Sequence, residues 1–303
     1  MAFSTQSVPS SSSRKVVPIP SVYITRIRDL IYSEAGIFYP DVKLQTLEER
    51  CVGRMKDAGV VSLSAYYDRL TNSVTRRAEM TELLNRVTVG ETFFFRNQAQ
   101  LDAIRKIVLP KIVEAHGKGG IRHVRIWSAG CSTGEESYTL AIILLEEKQV
   151  LLKGFTFEVL ATDLNENSLE QARKGLYGEY STRYLTAYFR QKYFRESNGS
   201  LQVAPAVQSI VKFSRVNLQD QDRMAAMKGM DIILCCNVLI YFDIASKRSV
   251  IEHFYNSLLP HGYLFLGHSE SLYGINDDFR LVHLPSATAY VKSSLESAGR
   301  GQK

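Results

Sequence analysis

The sequence predicts an α/β protein with a doubly wound, mostly parallel sheet, which follows a small all-α domain and contains an inserted antiparallel β-subdomain. Three observations support this prediction. At residues 124–145 an apolar strand leads through a glycine loop into a helical pattern, which is the opening unit of a nucleotide-type cofactor site in such sheets. Strands and helices then alternate to about residue 292. Helical periodicity fills residues 21–87.

The composition is that of an ordinary globular chain of 303 residues, of which 45% are hydrophobic and 22% are charged. The net charge of +6 favours an acidic partner but is too small to imply nucleic acid. No 18-residue apolar run and no signal-peptide core occurs, so we expect a soluble, cytoplasmic protein without membrane insertion. We also expect a monomer. Scattered histidines and the absence of a CxxC pair predict buried thiols and no metal site.

The first 87 residues divide into a tail and a helical domain. Residues 1–20 are rich in Ser and Pro and predict a disordered tail, and residues 296–303 form a second tail. Residues 21–87 predict four helices, of which the second carries basic residues on one side. Because Arg50 and Arg54 lie one turn apart on that side, it is either a site for an acidic partner or an ordinary solvated face.

The joint between the two predicted domains, residues 88–96, has the sequence TVGETFFFR. Three consecutive aromatic residues followed by an arginine are unusual at such a place. The aromatic neighbours would hold Arg96 close to an apolar surface, which gives a fixed fork of hydrogen-bond donors facing a cleft. The alternative interpretation is a hinge whose only role is packing between the domains, and such a hinge would need the aromatic residues but not Arg96.

The glycine loop at residues 128–134 lacks GxGxxG spacing and is followed by Glu135 and Glu136. Two carboxylates in the first helical turn would repel the pyrophosphate of a dinucleotide. They suit a ligand that carries an amine or a sulfonium, which points to S-adenosylmethionine (SAM). Ordinary stabilisation of a helix N-terminus by acidic residues is the alternative interpretation.

A further acidic position is Asp163, which ends an apolar strand 33 residues after Gly130. In doubly wound sheets an acidic residue near the end of the second strand accepts hydrogen bonds from the ribose hydroxyls of the cofactor. Gly130 and Asp163 together therefore predict a ribose site. Capping of the next helix is the alternative role for Asp163.

The later part of the chain completes a domain that we predict over residues 88–295. Asn198-Gly199 between apolar runs is a strong hairpin signal, so we expect an inserted antiparallel β-subdomain over about residues 190–213. Strands resume at residues 210–218 and 230–236, and a terminal hairpin follows. This arrangement matches the fold of a class I SAM-dependent methyltransferase.

Six segments taken together resemble the CheR-type chemotaxis receptor methyltransferases, which use SAM to esterify glutamates of chemoreceptors. They occur in the family's order and spacing, and the helical N-terminal domain and the inserted hairpin also match. Members often have Asn where this chain has Gly90, so we do not expect a side-chain ligand there. The six segments are VGETFFFR (89–96), RIWSAGCSTGEESYTLA (125–141), ATDLNENSLEQARKGLY (161–177), SRVNL (214–218), ILCCNVLIYFD (233–243) and GYLFLGHSE (262–270).

The resemblance implies a set of site residues. Arg96 and Tyr241 would lie closest to the transferred methyl group, and we hypothesise that they orient the substrate carboxylate. A strand-end cap is the alternative role for Tyr241. Arg50 and Arg54 would meet the acidic methylation helices of a receptor. Contacts with SAM, which becomes S-adenosylhomocysteine (SAH), are implied at Thr92, Arg96, Glu136, Asp163, Asn217, Leu218, Asn237 and Val238.

The function that the resemblance implies is protein-glutamate O-methylation of methyl-accepting chemotaxis receptors, which gives methyl esters that tune adaptation. The hairpin loop at residues 197–200 is shorter than in members that dock on a receptor's C-terminal pentapeptide, so we do not expect tethered docking. A SAM-dependent methyltransferase for another substrate, such as a nucleic-acid base, is one alternative, although the Pro-Pro element of base methyltransferases is absent after residues 230–236. A non-catalytic module that binds SAM or a receptor is the other.

Overall fold

The computed structural model describes residues 21–88 and 90–292. The tails predicted at residues 1–20 and 296–303 lie outside the described residues. Within the described ranges, no helix is both long enough and apolar enough to span a bilayer.

The N-terminal part of the chain forms the helical domain that the periodicity predicts. Ser21 caps the start of its first helix, where the side chain accepts a backbone hydrogen bond, and Gly36, with a φ of +68°, ends that helix. The apolar faces of the helices meet in a separate core, in which Leu47, Tyr66 and Leu83 are fully buried. The elements are α1 (Val22–Ala35), a 3-10 turn (Asp41–Lys43), α2 (Leu44–Asp57), α3 (Leu63–Thr71) and α4 (Arg76–Val87).

The second domain alternates strands and helices. In chain order, its elements are α5 (Gln98–Ala103), a π-helical turn (Ile104–Val108), α6 (Leu109–Gly119), β1 (His123–Ala129), α7 (Glu135–Glu147), β2 (Thr156–Asp163), α8 (Glu166–Lys174), β3 (Leu176–Tyr177), α9 (Glu179–Thr182), α10 (Ala187–Tyr193), β4 (Phe194–Ser197), β5 (Ser200–Val203), α11 (Pro205–Gln208), β6 (Val211–Arg215), α12 (Gln221–Ala225), β7 (Met230–Cys235), a 3-10 turn (Leu239–Tyr241), α13 (Ile244–Ser257), β8 (Leu258–Leu266), β9 (Phe279–Leu284) and β10 (Ala287–Lys292).

The main sheet has seven strands in the order β6-β2-β1-β7-β8-β10-β9. The first five run parallel, and β10 pairs antiparallel with both of its neighbours. If only the seven strands of this sheet are counted along the chain, their spatial order is 3-2-1-4-5-7-6. This is a doubly wound sheet with an antiparallel strand inserted near one edge. This is the sheet of class I SAM-dependent methyltransferases, so the predicted fold class is confirmed.

The inserted subdomain is a small antiparallel sheet in the order β3-β5-β4. Asn198 and Gly199 form the two-residue turn between β4 and β5, with φ angles of +48° and +76°, as their hairpin signal predicts. The predicted limits of the insertion are wrong at the C-terminal end, because β6 pairs parallel with β2 in the main sheet. The sequence also did not indicate β3, a strand of only two residues.

Polar and backbone contacts hold the helical domain at the carboxyl edge of the main sheet. Asn165, at the start of α8, donates hydrogen bonds from Nδ2 to the carbonyl oxygens of Asn85 (2.8 Å) and Thr88 (2.7 Å). Ile37, just after α1, forms an antiparallel bridge with Phe242. These contacts place the ends of α1 and α4 beside the loops that follow the parallel strands.

Candidate active site

A cavity of about 390 Å³ opens at the carboxyl ends of β1, β2, β6, β7 and β8. Loops after parallel strands meet at one edge of a sheet, and ligands of such folds bind there. The end of α1 and the segment before α5 close the cavity on the side of the helical domain. Every residue predicted to contact SAM or the methyl acceptor in this domain lines it, namely Thr92, Arg96, Glu136, Asp163, Asn217, Leu218, Asn237, Val238 and Tyr241.

The glycine loop between β1 and α7 leaves backbone open to the cavity. Gly130 has a φ of +77°, and a Cβ atom there would lie 2.3 Å from Cγ2 of Val238. The backbone N–H groups of Gly130 and Cys131 both donate to the carbonyl oxygen of Thr162, at 2.7 and 2.9 Å. The loop is therefore fixed to β2, and only glycine allows it to pass this close to Val238.

The two carboxylates after the loop have different positions. Glu135 is buried away from the cavity and accepts a hydrogen bond from Ser181 Oγ at 2.8 Å. Glu136 lines the cavity and accepts one from Ser128 Oγ at 2.7 Å. Burial raises the pKa of the Glu136 carboxyl, although that hydrogen bond and the charge of Arg96 oppose the shift. Only Glu136 is therefore placed to receive a cationic group of a ligand.

Asp163 lies at the end of β2 and faces the same cavity. Its Oδ2 accepts a hydrogen bond from Ser132 N at 2.7 Å, and its Oδ1 accepts one from Asn165 N at 2.8 Å. Burial raises the pKa of this carboxyl. The cap of α8 is Asn165, whose side chain accepts a hydrogen bond from Ser168 N at 3.0 Å. Helix capping therefore does not account for Asp163, which is fixed by backbone donors with its carboxylate at the cavity wall.

The aromatic segment before α5 holds Arg96 as the sequence predicts. The Arg96 guanidinium carbon lies 5.7 Å from the centre of the Phe93 ring, and its Nη1 donates to the carbonyl oxygen of Glu91 at 2.6 Å. Phe94 is fully buried in the core of the second domain. Phe95 N donates to Thr139 Oγ1 at 3.1 Å, which ties the segment to α7. Packing fixes the backbone, and the guanidinium remains at the cavity.

Tyr241 ends the 3-10 turn after β7 and is 42% exposed at the mouth of the cavity. Its carbonyl oxygen accepts a hydrogen bond from Phe38 N at 2.8 Å, next to the bridge between Ile37 and Phe242. The backbone of Tyr241 is thus held by the segment after α1. The helical domain therefore helps to position one of the two residues that, by the family resemblance, would lie nearest the transferred methyl group.

The ends of β6 and β7 supply the remaining predicted contacts. Asn217 donates from Nδ2 to the carbonyl oxygen of Glu34 at 2.6 Å, so its side chain serves the contact with α1. Leu218 is almost fully buried, and Val238 packs over Gly130. These residues form apolar and backbone walls of the cavity, which suits a nucleoside.

Glu270 supports the site and was not predicted as a functional residue. Its Oε2 accepts hydrogen bonds from Asn237 N (2.8 Å) and Gly267 N (2.7 Å), and its Oε1 accepts one from Ile240 N (3.2 Å). Asn237 has a φ of +62°, an unusual conformation for a residue with a side chain. Glu270 thus joins the turn after β7 to the turn after β8. A carboxylate shortly after an apolar strand was the only signal in the sequence.

Arg50 and Arg54 lie outside the cavity and are used within the helical domain. Arg54 donates from Nε and Nη2 to Glu79, at 2.8 and 3.2 Å, and Arg69 donates to the same carboxylate at 2.8 Å. Arg50 donates to the carbonyl oxygen of Val87. The Glu79 side chain is only 1% exposed and that of Arg54 is 17% exposed. The alternative interpretation, an ordinary solvated face, is therefore wrong for this pair, and the substrate-binding role stays a prediction that these contacts do not support.

Hydrogen bonds explain why Glu79 is ionised inside the helical domain. Burial raises the pKa of its carboxyl, but hydrogen bonds from Arg69, Arg54 and Tyr66 outweigh burial and bring the pKa below its usual value. A buried carboxylate with several cationic donors is a structural centre, because removing either sign of charge would leave the other uncompensated.

The chemistry of the cavity wall fits SAM. Glu136 and Asp163 are carboxylates beside the loop backbone, which suits an ammonium group and ribose hydroxyls and opposes a pyrophosphate. The hydroxyl of Ser132 is buried beside them without a hydrogen-bond partner in the protein. In residues 21–88 and 90–292 no cluster of His, Cys, Asp and Glu side chains is able to hold a metal ion. The fold and the site together define a SAM-dependent methyltransferase.

Comparison with protein families identifies the particular type. The family model described as "CheR methyltransferase, SAM binding domain" matches residues 90–288, and the model described as "CheR methyltransferase, all-alpha domain" matches residues 24–88. The chain therefore belongs to the CheR methyltransferase family, and its cofactor is SAM. The resemblance inferred from the six sequence segments is confirmed.

Named relatives of similar length agree with this assignment. Chemotaxis protein methyltransferase 2 of Vibrio cholerae is 35% identical over 268 residues, which are 88% of this chain and 91% of that protein. Chemotaxis protein methyltransferase of Borreliella burgdorferi is 32% identical over 252 residues, or 83% and 88% of the two chains. Chemotaxis protein methyltransferase 1 of Pseudomonas aeruginosa is 31% identical over 268 residues, or 87% and 95%.

Proposed function

We propose that this protein transfers the methyl group of SAM to glutamate side-chain carboxylates of chemotaxis receptors, giving glutamyl methyl esters and SAH. The relatives named as chemotaxis protein methyltransferases support the receptor as partner. The observation that supports an ester product most directly is the presence of Arg96 and Tyr241 on the wall of one acidic cavity. A guanidinium and a phenol are suitable donors for the two oxygens of a carboxylate.

In this proposal SAM would be held by the carboxylates and the loop backbone of the cavity wall. Glu136 would accept hydrogen bonds from the ammonium group of the methionine part, and Asp163 would accept them from the ribose hydroxyls. The backbone beside Gly130 and the side chain of Val238 would contact the nucleoside. The geometry of these residues supports the assignment, because Glu136 and Asp163 are each held by hydrogen bonds from Ser128 or from backbone N–H groups.

Positioning is the main task that the chain performs in catalysis. SAM supplies a methyl group that is already activated on a sulfonium sulfur, and a glutamate is ionised at neutral pH without a general base. Arg96 and the Tyr241 hydroxyl donate to the substrate carboxylate and hold one of its oxygens toward the methyl group. Such positioning contributes up to ~7–11 kcal/mol to lowering a barrier.

Substitution of the two donors tests the proposal. A lost hydrogen bond to a charged group costs about 1.5–3 kcal/mol, so Arg96→Ala and Tyr241→Phe should each lower kcat by roughly 10- to 150-fold. The loss of SAM affinity should be smaller than the loss of kcat. Tyr273→Phe, which removes a hydroxyl from a residue that is 96% exposed, is the matched control and should retain wild-type kcat. An Arg96→Ala protein with full turnover would remove Arg96 from the mechanism.

The receptor is engaged without tethering in this proposal. The two-residue turn at Asn198-Gly199 leaves a short loop between β4 and β5, which supports direct docking rather than capture of a C-terminal pentapeptide. The protein acts in the cytoplasm, as a monomer, on the methylation helices of the receptor. A receptor with its C-terminal pentapeptide removed should therefore be methylated as fast as the full-length receptor, and a clear fall in rate would contradict direct docking.

A further inference from the structure

An exposed arginine is stacked among aromatic rings beside the segment that carries Arg96. The guanidinium carbon of Arg183 lies 3.9 Å from the ring centres of both Phe93 and Tyr180, and 5.1 Å from that of Tyr184. Tyr180 and Tyr184 are 54% and 60% exposed, and Arg183 is also exposed. We call these four residues, Phe93, Tyr180, Arg183 and Tyr184, the Arg183 platform.

The platform is fixed to the segment that carries Arg96. Phe94 N donates to the carbonyl oxygen of Ser181 at 2.9 Å, so α9 is held against the aromatic segment. Ser181 Oγ also donates to Glu135, the first residue of α7. The Phe93 ring contacts both cations, with the Arg96 guanidinium carbon 5.7 Å and that of Arg183 3.9 Å from its centre. The positive charge proposed to hold the methylated glutamate therefore has a second positive charge beside it.

In residues 21–88 and 90–292 other arginines form ion pairs, but no carboxylate forms an ion pair with Arg183. One of its N–H groups donates to the carbonyl oxygen of Tyr180. Stacking on these rings fixes the guanidinium, but it leaves the other N–H donors of Arg183 without an acceptor in the part of the chain that the structure describes. A guanidinium in such a stack is pre-organised for a carboxylate, since little side-chain entropy remains to be lost.

We propose that the Arg183 platform binds a second carboxylate of the substrate, on an Asp or Glu one or two helical turns from the glutamate being methylated. This inference rests on the proposed function. Side chains four to seven residues apart on a helix are separated by about 6–10 Å along its axis. The Arg96 and Arg183 guanidinium carbons lie 5.7 and 3.9 Å from the same Phe93 ring centre, so their separation is below about 10 Å, which two such side chains are able to reach. The platform thus selects acidic helical segments and aligns them so that the target glutamate meets Arg96.

The test uses the purified full-length protein and the cytoplasmic fragment of a chemoreceptor from its own organism that the wild-type protein methylates. Base-labile methyl incorporation is measured against fragment concentration for the wild type and for Arg183→Ala, Arg183→Lys and Arg173→Ala. Arg173 is the control, because it is an exposed arginine on α8 that already pairs with Glu166 at 2.7 Å. Arg183→Ala should raise the KM for the fragment about 3- to 10-fold and weaken its salt dependence. The KM for SAM should stay within about twofold, and Arg173→Ala should behave as wild type.

Substitutions in the receptor fragment distinguish recognition by Arg183 from a structural role. Changing the acidic residues within two turns of the methylated glutamate to Gln should raise the wild-type KM for the fragment by the same factor as Arg183→Ala does. Combining both changes should raise this KM little further, since they remove one interaction. Arg183→Lys keeps the charge with weaker stacking and should recover most of the loss. Fully additive losses, or an unchanged KM in active Arg183→Ala, would overturn the inference alone. No methylation of any receptor fragment by the wild type would overturn the proposed function and this inference together.

Discussion

Replacing Glu136 with glutamine tests the electrostatic basis of cofactor binding. The substitution keeps the size of the side chain and an oxygen that accepts the hydrogen bond from Ser128, but it removes the negative charge. A hydrogen bond to a charged group contributes about 1.5–3 kcal/mol, so the Kd for SAM should rise roughly 10- to 150-fold at neutral pH. Because the carboxyl is largely shielded from solvent, the effect should change little with salt.

The pH dependence of the same substitution has a definite sign. Burial raises the pKa of the Glu136 carboxyl in the free protein, and a bound cation would lower it again. SAM therefore binds the ionised form more tightly, and wild-type affinity should fall as the pH drops through the raised pKa. Glu136→Gln should lose this part of the pH dependence, because glutamine does not titrate.

Calorimetric titration with SAM from mildly acidic to mildly basic pH measures both effects. Glu252→Gln is the control, because it makes the same change of charge at an exposed position on α13. Glu136→Gln should have a thermal midpoint at least as high as that of the control, because it removes a charge that burial disfavours. If Glu136→Gln bound SAM within about twofold of the wild type and with the same pH profile, Glu136 would not be the cofactor's anionic partner.

Two further substitutions test how the scaffold holds the site. Gly130→Ala should lower SAM affinity more than tenfold in calorimetry, because the added Cβ would meet Val238. Gly59→Ala is the control, since Gly59 also has a positive φ but has open space around it. It should cost only about 1 kcal/mol of folding stability. Equal SAM affinity in the two variants would contradict the close-approach argument. Glu79→Ala should lower the free energy of unfolding, measured in urea, by about 2–4 kcal/mol, because two arginines lose their shared carboxylate. The control is Glu82→Ala at an exposed position, whose free energy of unfolding should stay within about 0.5 kcal/mol of the wild-type value. A Glu79→Ala protein as stable as the Glu82→Ala protein would show that the buried charge cluster does not stabilise the domain.

The residues of the cavity could be predicted because topology fixes where they meet. A glycine after the first strand and a carboxylate at the end of the second come together at the carboxyl edge, whatever the loops between them. Gly130 and Asp163 follow this rule, whereas Asn237 was predicted only from the family resemblance. Glu136 follows from its position in the first turn of α7, although the sequence did not show that Glu135 points away from the cavity.

Contacts between distant parts of the chain could not be predicted in the same way. The pattern of α2 shows on which side Arg54 lies, but not that Glu79 of α4 is buried against that side. Glu270 has no local pattern that indicates which backbone N–H groups it accepts from. The stacking of Arg183 on Phe93 joins two segments whose proximity depends on how α9 packs. Each of these pairs depends on tertiary packing, which no short-range periodicity contains.

The limits of the inserted subdomain were wrong for a related reason. β5 and β6 are both short and each mixes apolar with polar residues, and only their pairing partners distinguish them. β5 pairs antiparallel with β3 and β4, whereas β6 pairs parallel with β2. Strand character can be inferred from the sequence, but the choice of pairing partner depends on the whole sheet.

Esterification of chemotaxis-receptor glutamates by this protein is tested most directly by labelling. The purified protein is incubated with methyl-labelled SAM and membranes that contain the chemoreceptors of its own organism, and the labelled protein is then treated with base. We expect the receptors to carry label that base releases, and Arg96→Ala to leave them almost unlabelled. SAM binding without any base-labile label on a receptor would contradict the claim and assign the methyl group to another acceptor.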